Sequence, residues 1–582
     1  MRGPIETFDR PYRGNSTRRH TIVTVCQVLY LASLPAAAGW LRLESPNFEC
    51  YTDASEKTGR AALERLEETS PFLAAAGFPL PHSHNRVRLV LFSRAGDFAR
   101  YRRFHTTSAF FQSGPERDLI VAGPAPDLDR ALRHELVHQS LVHTRPKLPR
   151  WYEEGLAEVL STVVPARQAW KTALAIPSHQ ELLQKRTWLP AAELFAFSES
   201  DENDPERTRL FYAESWAVVR RAGRIENGRN QLQSLLEAGT PSDKAVAEVW
   251  GLPLDQVLSQ TRTQLTHDSG RFENVPGRTP PPPPSISAQP AGEIESGAML
   301  VSLALQCGLP QEAARLYQQL ASHASDSPAA ATAIGLLALD RGDTNEAEKQ
   351  LRRAAELGSR DATTYFELAL LARDIRHDEQ ETRRRLEQAI EVNPTHPEAL
   401  FLLGRTWLRA KEPKKAIPYL ERATQVLPRQ PQFWLELAEA QLQSQQKEAA
   451  LESARRALAS AEEEQDILMA RGFLKLSSAP PTASARPSGV VTPKSWDAPR
   501  GDADFTGTLT QVDCSAAGLI LHITNGSREL LLRAPRPDRI AIYGNNAPRE
   551  FPCGALPQPP SVRVSYRRGP GNDGELVAIE FR

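Results

Sequence analysis

Residues 134–138 read His-Glu-Leu-Val-His, and residues 150–158 read Arg-Trp-Tyr-Glu-Glu-Gly-Leu-Ala-Glu. In a helix, positions four apart share a face, so His134 and His138 can present both imidazoles to one metal ion. Glu135 stands beside them, where a carboxylate can take a proton from a bound water. Two histidines leave a catalytic metal one protein ligand short. Glu154 follows sixteen positions after His138, and Pro146 and Pro149 between them cannot continue a helix. The expectation is a metal helix ending near His143, a turn over 144–149, and a second, antiparallel helix from Arg150. Such a pair returns Glu154 to the histidines. Glu158, one turn further, shares a face with Glu154 and suits a carboxylate accepting from the outer ring nitrogen of a ligating histidine. Gly155 is a poor helix former and fits a close approach of the two helices.

Together, HELVH and WYEEGLAE resemble the gluzincin class of zinc metallopeptidases, nearest to the peptidase-MA-like domains related to the aminopeptidase-N type. The resemblance spans roughly residues 40–268. It implies an α+β zincin-like domain with one zinc ion per chain, held by His134, His138 and Glu154. It also implies Glu135 as general base and Glu158 as the carboxylate behind the ligands. The spacing from His138 to Glu154 is shorter than in aminopeptidase N, and the Gly-Ala-Met-Glu-Asn segment of that enzyme is missing, so aminopeptidase specificity is not implied. In related gluzincins a tyrosine on a later helix stabilises the oxyanion, and Tyr212 in Phe-Tyr-Ala-Glu-Ser-Trp-Ala (211–217) matches it. Tyr212, Trp216 and Val219 equally make an apolar helix face. Asp118–Ala122 reads as a strand, either buried or an edge to which peptide adds as a further strand. His105 and His143 are not expected as ligands; His143 is five positions past His138 and points off the metal face.

Downstream, the chain repeats with a period near 34 residues from about 295 to 476. The clearest unit holds Leu403, Gly404, Trp407, Ala416, Leu420, Ala423 and Pro428. Small and apolar residues recur in register at Leu437, Ala438, Ala450 and Ala454, and again at Ile334, Gly335, Ala347 and Leu351. A unit between them has Leu368, Ala369, Leu386 and Ala389. This resembles the tetratricopeptide repeat, a helix pair with small residues where its helices cross, and implies an all-α solenoid that binds peptides or partner proteins.

Two Pro-rich stretches, 269–294 and 477–500, read as linkers; the first contains Pro280–Pro284 and tends to polyproline II. Beyond 501 the pattern alternates, with Asn525-Gly526 as a hairpin turn and strands expected over 528–533, 539–543, 562–566 and 575–581. A small all-β domain over 501–582 fits. Its two cysteines, Cys514 and Cys553, form the expected disulfide, while Cys50 and Cys307 show no metal-binding spacing.

The N-terminus places Arg18 and Arg19 before an apolar stretch, Thr21–Leu34, and Ala36-Ala37-Ala38, which reads as a signal peptide over 1–38. An uncleaved signal anchor is the alternative; no other membrane span is expected. The formal net charge of −1 over 582 residues speaks against nucleic acid as a general partner. The combined expectation is an exported, bacterial-type multidomain protein, periplasmic or extracellular: a gluzincin domain (39–268), tetratricopeptide repeats (295–476) and a β domain. It would hydrolyse peptide bonds in a peptide or protein substrate, with the repeats holding substrate or a protein partner. The alternative is a non-catalytic scaffold in which the repeats carry the function and the metal domain is structural.

Overall fold

The computed structural model describes residues 39–81, 84–102, 108–265, 271–277, 284–320, 326–461, 463–478, 501–515, 518–526, 528–534, 540–543, 553–556, 559–569 and 573–581. The expected signal segment 1–38, most of the linker 477–500 and His105 lie outside the described residues. Residues 39–478 make one compact unit and 501–581 another.

The first unit opens with strands β1 (Leu41–Glu44) and β2 (Phe48–Thr52), helix α1 (Glu56–Ala75), β3 (Val87–Leu91) and the short α2 (Ala95–Phe98). Then come β4 (Ala109–Gln112), β5 (Leu119–Ala122), α3 (Leu128–Thr144) and α4 (Arg150–Ser161). Alternation along the strands sends side chains to both faces of one sheet. Leu89, Leu91, Ile120 and Ala122 join the core under α1, α3 and α4. Val90, Leu119 and Val121, with Tyr51 of β2, point to the opposite face, where a second core begins.

A ribbon, β6 (Val164–Ala166) and β7 (Ala169–Thr172), follows α4. The helices α5 (Pro177–Lys185), α6 (Ala191–Ala196), α7 (Pro205–Ala222), α8 (Gly228–Glu237), α9 (Ser242–Trp250) and α10 (Leu254–Leu265) complete the region. Residues 269–294 depart from the expected linker. Glu273–Pro276 forms β8, which pairs with β7, and Ser287–Pro290 forms β9, which pairs antiparallel with β1. The main sheet therefore runs β4-β5-β3-β2-β1-β9. Backbone groups on the outer side of β1 and β7 need partners, and these short strands supply them. The order also decides between the two readings of 118–122: β5 is the buried strand inside the sheet, and β4 is the edge strand beside it.

Five helix hairpins follow: α11 (Glu293–Gln306) with α12 (Pro310–Leu320), α13 (Pro328–Asp340) with α14 (Thr344–Glu356), α15 (Ala362–Asp374) with α16 (Glu379–Val392), α17 (Pro397–Arg409) with α18 (Pro413–Val426), and α19 (Pro431–Gln443) with α20 (Lys447–Ser460). Helix α21 (Glu464–Ser478) closes the array. The recurring small residues sit where helices cross. A Cβ on Gly335 would meet Leu351 at 2.7 Å, and one on Gly404 would meet Leu420 at 2.6 Å. The array does not hang from a tether. Ala298, Met299, Val301 and Leu303 share a buried core with Tyr51, Val90, Phe92 and Val121, so the sheet is a middle layer between α1/α3 and the first repeats.

The second unit is a small closed barrel. Strands β10 (Ala503–Ser515), β11 (Gly518–Asn525), β12 (Arg528–Ala534), β15 (Ser561–Arg568) and β16 (Asp573–Phe581) close through pairing of β10 with both β11 and β15. The short β13 (Ala541–Tyr543) and β14 (Gly554–Ala555) add to it. Leu509, Leu521, Ile523, Leu532, Val562 and Val564 fill the interior. A disulfide joins Cys514 to Cys553, with Cα atoms 5.7 Å apart. Among the described residues no helix is long and apolar enough to cross a membrane.

Candidate metal centre

Helices α3 and α4 form the expected pair. Helix α3 ends at Thr144, and Arg145 is extended ahead of Pro146. Helix α4 starts at Arg150, directly after Pro149. Three ligand atoms converge between them. His134 Nε2 and His138 Nε2 lie 3.0 Å apart, and each is 3.2 Å from Glu154 Oε2. Among the described residues this is the one cluster of its kind. A tetrahedral zinc ion with bonds of about 2.0–2.1 Å holds neighbouring donor atoms about 3.3–3.4 Å apart, so this triangle fits one face of such a site. Two imidazoles and a carboxylate are also the donor chemistry zinc accepts.

Behind the ligands, Glu158 Oε1 lies 3.4 Å from His134 Nδ1. Its Oε2 accepts from Arg130 at 2.5 Å and lies 3.3 Å from His179 Nε2. This arrangement turns His134 Nε2 toward the cluster and fixes the ring. Glu154 Oε1 faces Arg150 at 3.8 Å, and Arg150 also pairs with Glu202.

Burial alone would raise both glutamates, but the facing imidazoles outweigh it. His138 and His134 hold Glu154 far below the carboxylate range, and His179 and His134 do the same for Glu158. Glu135 goes the other way. Burial raises it, with His134, His138 and the Phe111 backbone N–H opposing. A carboxylate of raised basicity, beside but outside the ligand triangle, is suited to take up a proton. Tyr212 lies with its ring centroid 6.2 Å from that of His134. Burial, then Glu154, push its hydroxyl well above the usual range, so it stays protonated and able to donate.

Gly155 has a different neighbour from the one expected. The close approach is to α7, not α3: a Cβ there would lie 2.4 Å from the Ser215 carbonyl oxygen. His143 is no ligand; its nitrogens face Asp118 Oδ2 and the Val426 carbonyl, each at 2.7 Å. Sequence reading missed His179, Arg130 and Arg150. Arg130 stands one turn before His134 and was readable from that spacing. His179 carries no such signal, because only the packing of α5 against α7 brings it to Glu158.

Residues 299–362, 332–376, 380–425 and 412–465 match the family model of the tetratricopeptide repeat. That match stays within the repeats and does not reach α3 or α4. No curated protein matches the chain. Among solved structures, the chain is similar to PilF of Pseudomonas aeruginosa at 18% identity, over 32% of this chain and 88% of that one, with a TM-score of 0.28. It is similar to MamA of Desulfovibrio magneticus RS-1 at 22% identity, over 26% and 90%, with a TM-score of 0.23. It is also similar to YrrB, described as a TPR protein with an unusual peptide-binding site, at 17% identity, over 30% and 90%, with a TM-score of 0.25. The segment 299–465 thus carries tetratricopeptide repeats, modules that mediate protein–protein interaction.

Proposed function

We propose that residues 39–268 form a zincin-like domain of the gluzincin type that hydrolyses peptide bonds, and that the repeats hold its protein substrate or a protein partner. The observation that carries this reading is the convergence of His134 Nε2, His138 Nε2 and Glu154 Oε2 at 3.0–3.2 Å. Bound there, a single zinc ion would polarise the substrate carbonyl and acidify water. Glu135 accepts the proton of the attacking water and delivers it to the departing amine. Tyr212 donates to the oxygen on which charge develops. Glu158, braced by Arg130 and His179, keeps His134 in the ligating tautomer.

Export belongs to the same proposal. It is supported by the apolar stretch 21–34 after Arg18 and Arg19 and by the Cys514–Cys553 bridge, which an oxidising compartment maintains.

The second reading, a non-catalytic scaffold, is favoured by the family match, which covers the repeats and assigns interaction rather than chemistry. Glu135→Gln and His138→Ala separate the two. Zinc content is measured beside digestion of a broad peptide library. The expected result is zinc retained and hydrolysis lowered about 100- to 10,000-fold in Glu135→Gln, with zinc lost in His138→Ala. A wild type that carries zinc and cleaves nothing makes the scaffold the better account.

A further inference from the structure

The repeats reach into the turn that sets the metal site. Residues 145–149 join the helix carrying His134 and His138 to the helix carrying Glu154, so the conformation of this turn fixes where the third ligand stands. Arg429, in the loop between α18 and α19, spans it. Its Nη2 donates to Glu153 Oε1 at 2.6 Å, and its Nε donates to the Arg145 carbonyl at 3.0 Å. One side chain thereby ties the residue that follows one metal helix to the first turn of the other, next to Glu154. Glu153 Oε1 also accepts from the Leu148 N–H at 3.1 Å, so the same carboxylate closes the turn on itself. The ion pair is largely shielded, with side-chain exposures of 13% and 14%. Three residues earlier, the Val426 carbonyl accepts from His143 in the last turn of α3 at 2.7 Å. Two contacts from one repeat loop therefore hold both sides of the turn.

We propose that Arg429 is a positioning residue through which the repeat array sets the metal affinity of the His134–His138–Glu154 centre. The inference rests on the zinc reading above. The array is then a brace for its neighbour in the chain as well as a docking surface, and whatever shifts the 426–430 loop shifts the metal site.

Zinc affinity of the full chain, measured by competition with a chromogenic chelator, tests this without reference to turnover. Arg429→Met is expected to weaken zinc binding about tenfold, within the range seen when outer groups of metal sites are removed. Glu153→Gln should weaken it similarly, and the double variant no more than either single one. Arg429→Lys, which keeps the charge but cannot span both partners, should fall between and serves if Arg429→Met does not fold. Among the described residues Arg422 donates to the Pro394 carbonyl within the array, so Arg422→Met is the control and should leave affinity unchanged. Affinity within about twofold of wild type in Arg429→Met overturns the brace, provided His138→Ala still abolishes binding. Equal weakening by Arg422→Met also overturns it, since repeat folding would then be the cause. A wild type that binds no zinc overturns the metal reading itself, and the brace with it.

Discussion

At Gly155, two effects of opposite sign can be weighed at a single residue. Replacing a mid-helix glycine by alanine normally gains about 1 kcal/mol. Here the new methyl would lie 2.4 Å from the Ser215 carbonyl oxygen and 2.7 Å from Val219 Cγ2. The first contact is with backbone in the middle of α7, which no rotamer change relieves. Overpacking of this kind costs about 1–3 kcal/mol, so it cancels or exceeds the propensity gain. Glu154 precedes Gly155 directly, and any outward shift of α4 carries the carboxylate away from the histidines. Gly155→Ala is therefore expected to lower the unfolding temperature and to weaken zinc binding together. Calorimetry and metal titration on one preparation check this; an unchanged or raised melting temperature would show that α7 gives way freely.

Between elements, docking depends on buried polar groups. Glu116, in the turn from β4 to β5, meets the repeats. Its carboxylate accepts from Asn85, from the Ala362 N–H at the start of α15, and from Asn393 at the end of α16. Burial, then Asp361, push it up to about 8, with Arg117, Asn393 and the Ala362 N–H opposing. An acid raised from 4.5 in the unfolded chain to about 8 in the folded one favours folding fully below pH 4.5. That contribution is lost as pH rises toward about 8. Glu116→Gln removes the titration, so its melting temperature should fall less than that of wild type between those limits. Parallel slopes in a pH series of thermal melts would exclude Glu116 as the group responsible.

The same scale shows which parts of the fold were readable. The α3–turn–α4 unit was legible because every signal is local: two prolines, a four-residue histidine spacing, and carboxylates one turn apart. The repeats were legible because Gly335 and Gly404, two units apart, mark the same crossing, with Ala369 at the matching position between them. Strands β8 and β9 were not, since four residues beside prolines become strands only when β7 and β1, far away in sequence, offer free backbone groups. The order of β4 and β5 was hidden for a similar reason: hydrophobic alternation names faces, not neighbours. In the barrel, the Asn525-Gly526 turn announces a strand on either side of it, β11 and β12, while the bounds of β10 and β11 went unread.

Across the whole molecule, the main consequence is that the region holding the candidate metal centre shares a buried core with the first repeats. Its sheet has two apolar faces. One is covered by α1 and α3; the other carries Tyr51, Val90, Leu119 and Val121 and is covered by α11 and α12. A chain ending at Gly277 would keep every candidate ligand, yet it would bare that second face and strip β9 from β1. Exposed contiguous apolar surface of this kind drives association. It would also lack Arg429, so the turn between the metal helices would lose its outside tie. Residues 39–277 expressed alone should therefore aggregate or bind a hydrophobic dye strongly, with weak near-ultraviolet circular dichroism and poor zinc retention. Residues 39–478 should be monomeric, cooperatively folded and zinc-binding. Gel filtration and spectroscopy of the two fragments decide the matter. A well-folded, zinc-loaded 39–277 would mean that the first repeats merely rest on the sheet, and that the two-sided core is not needed for the metal centre.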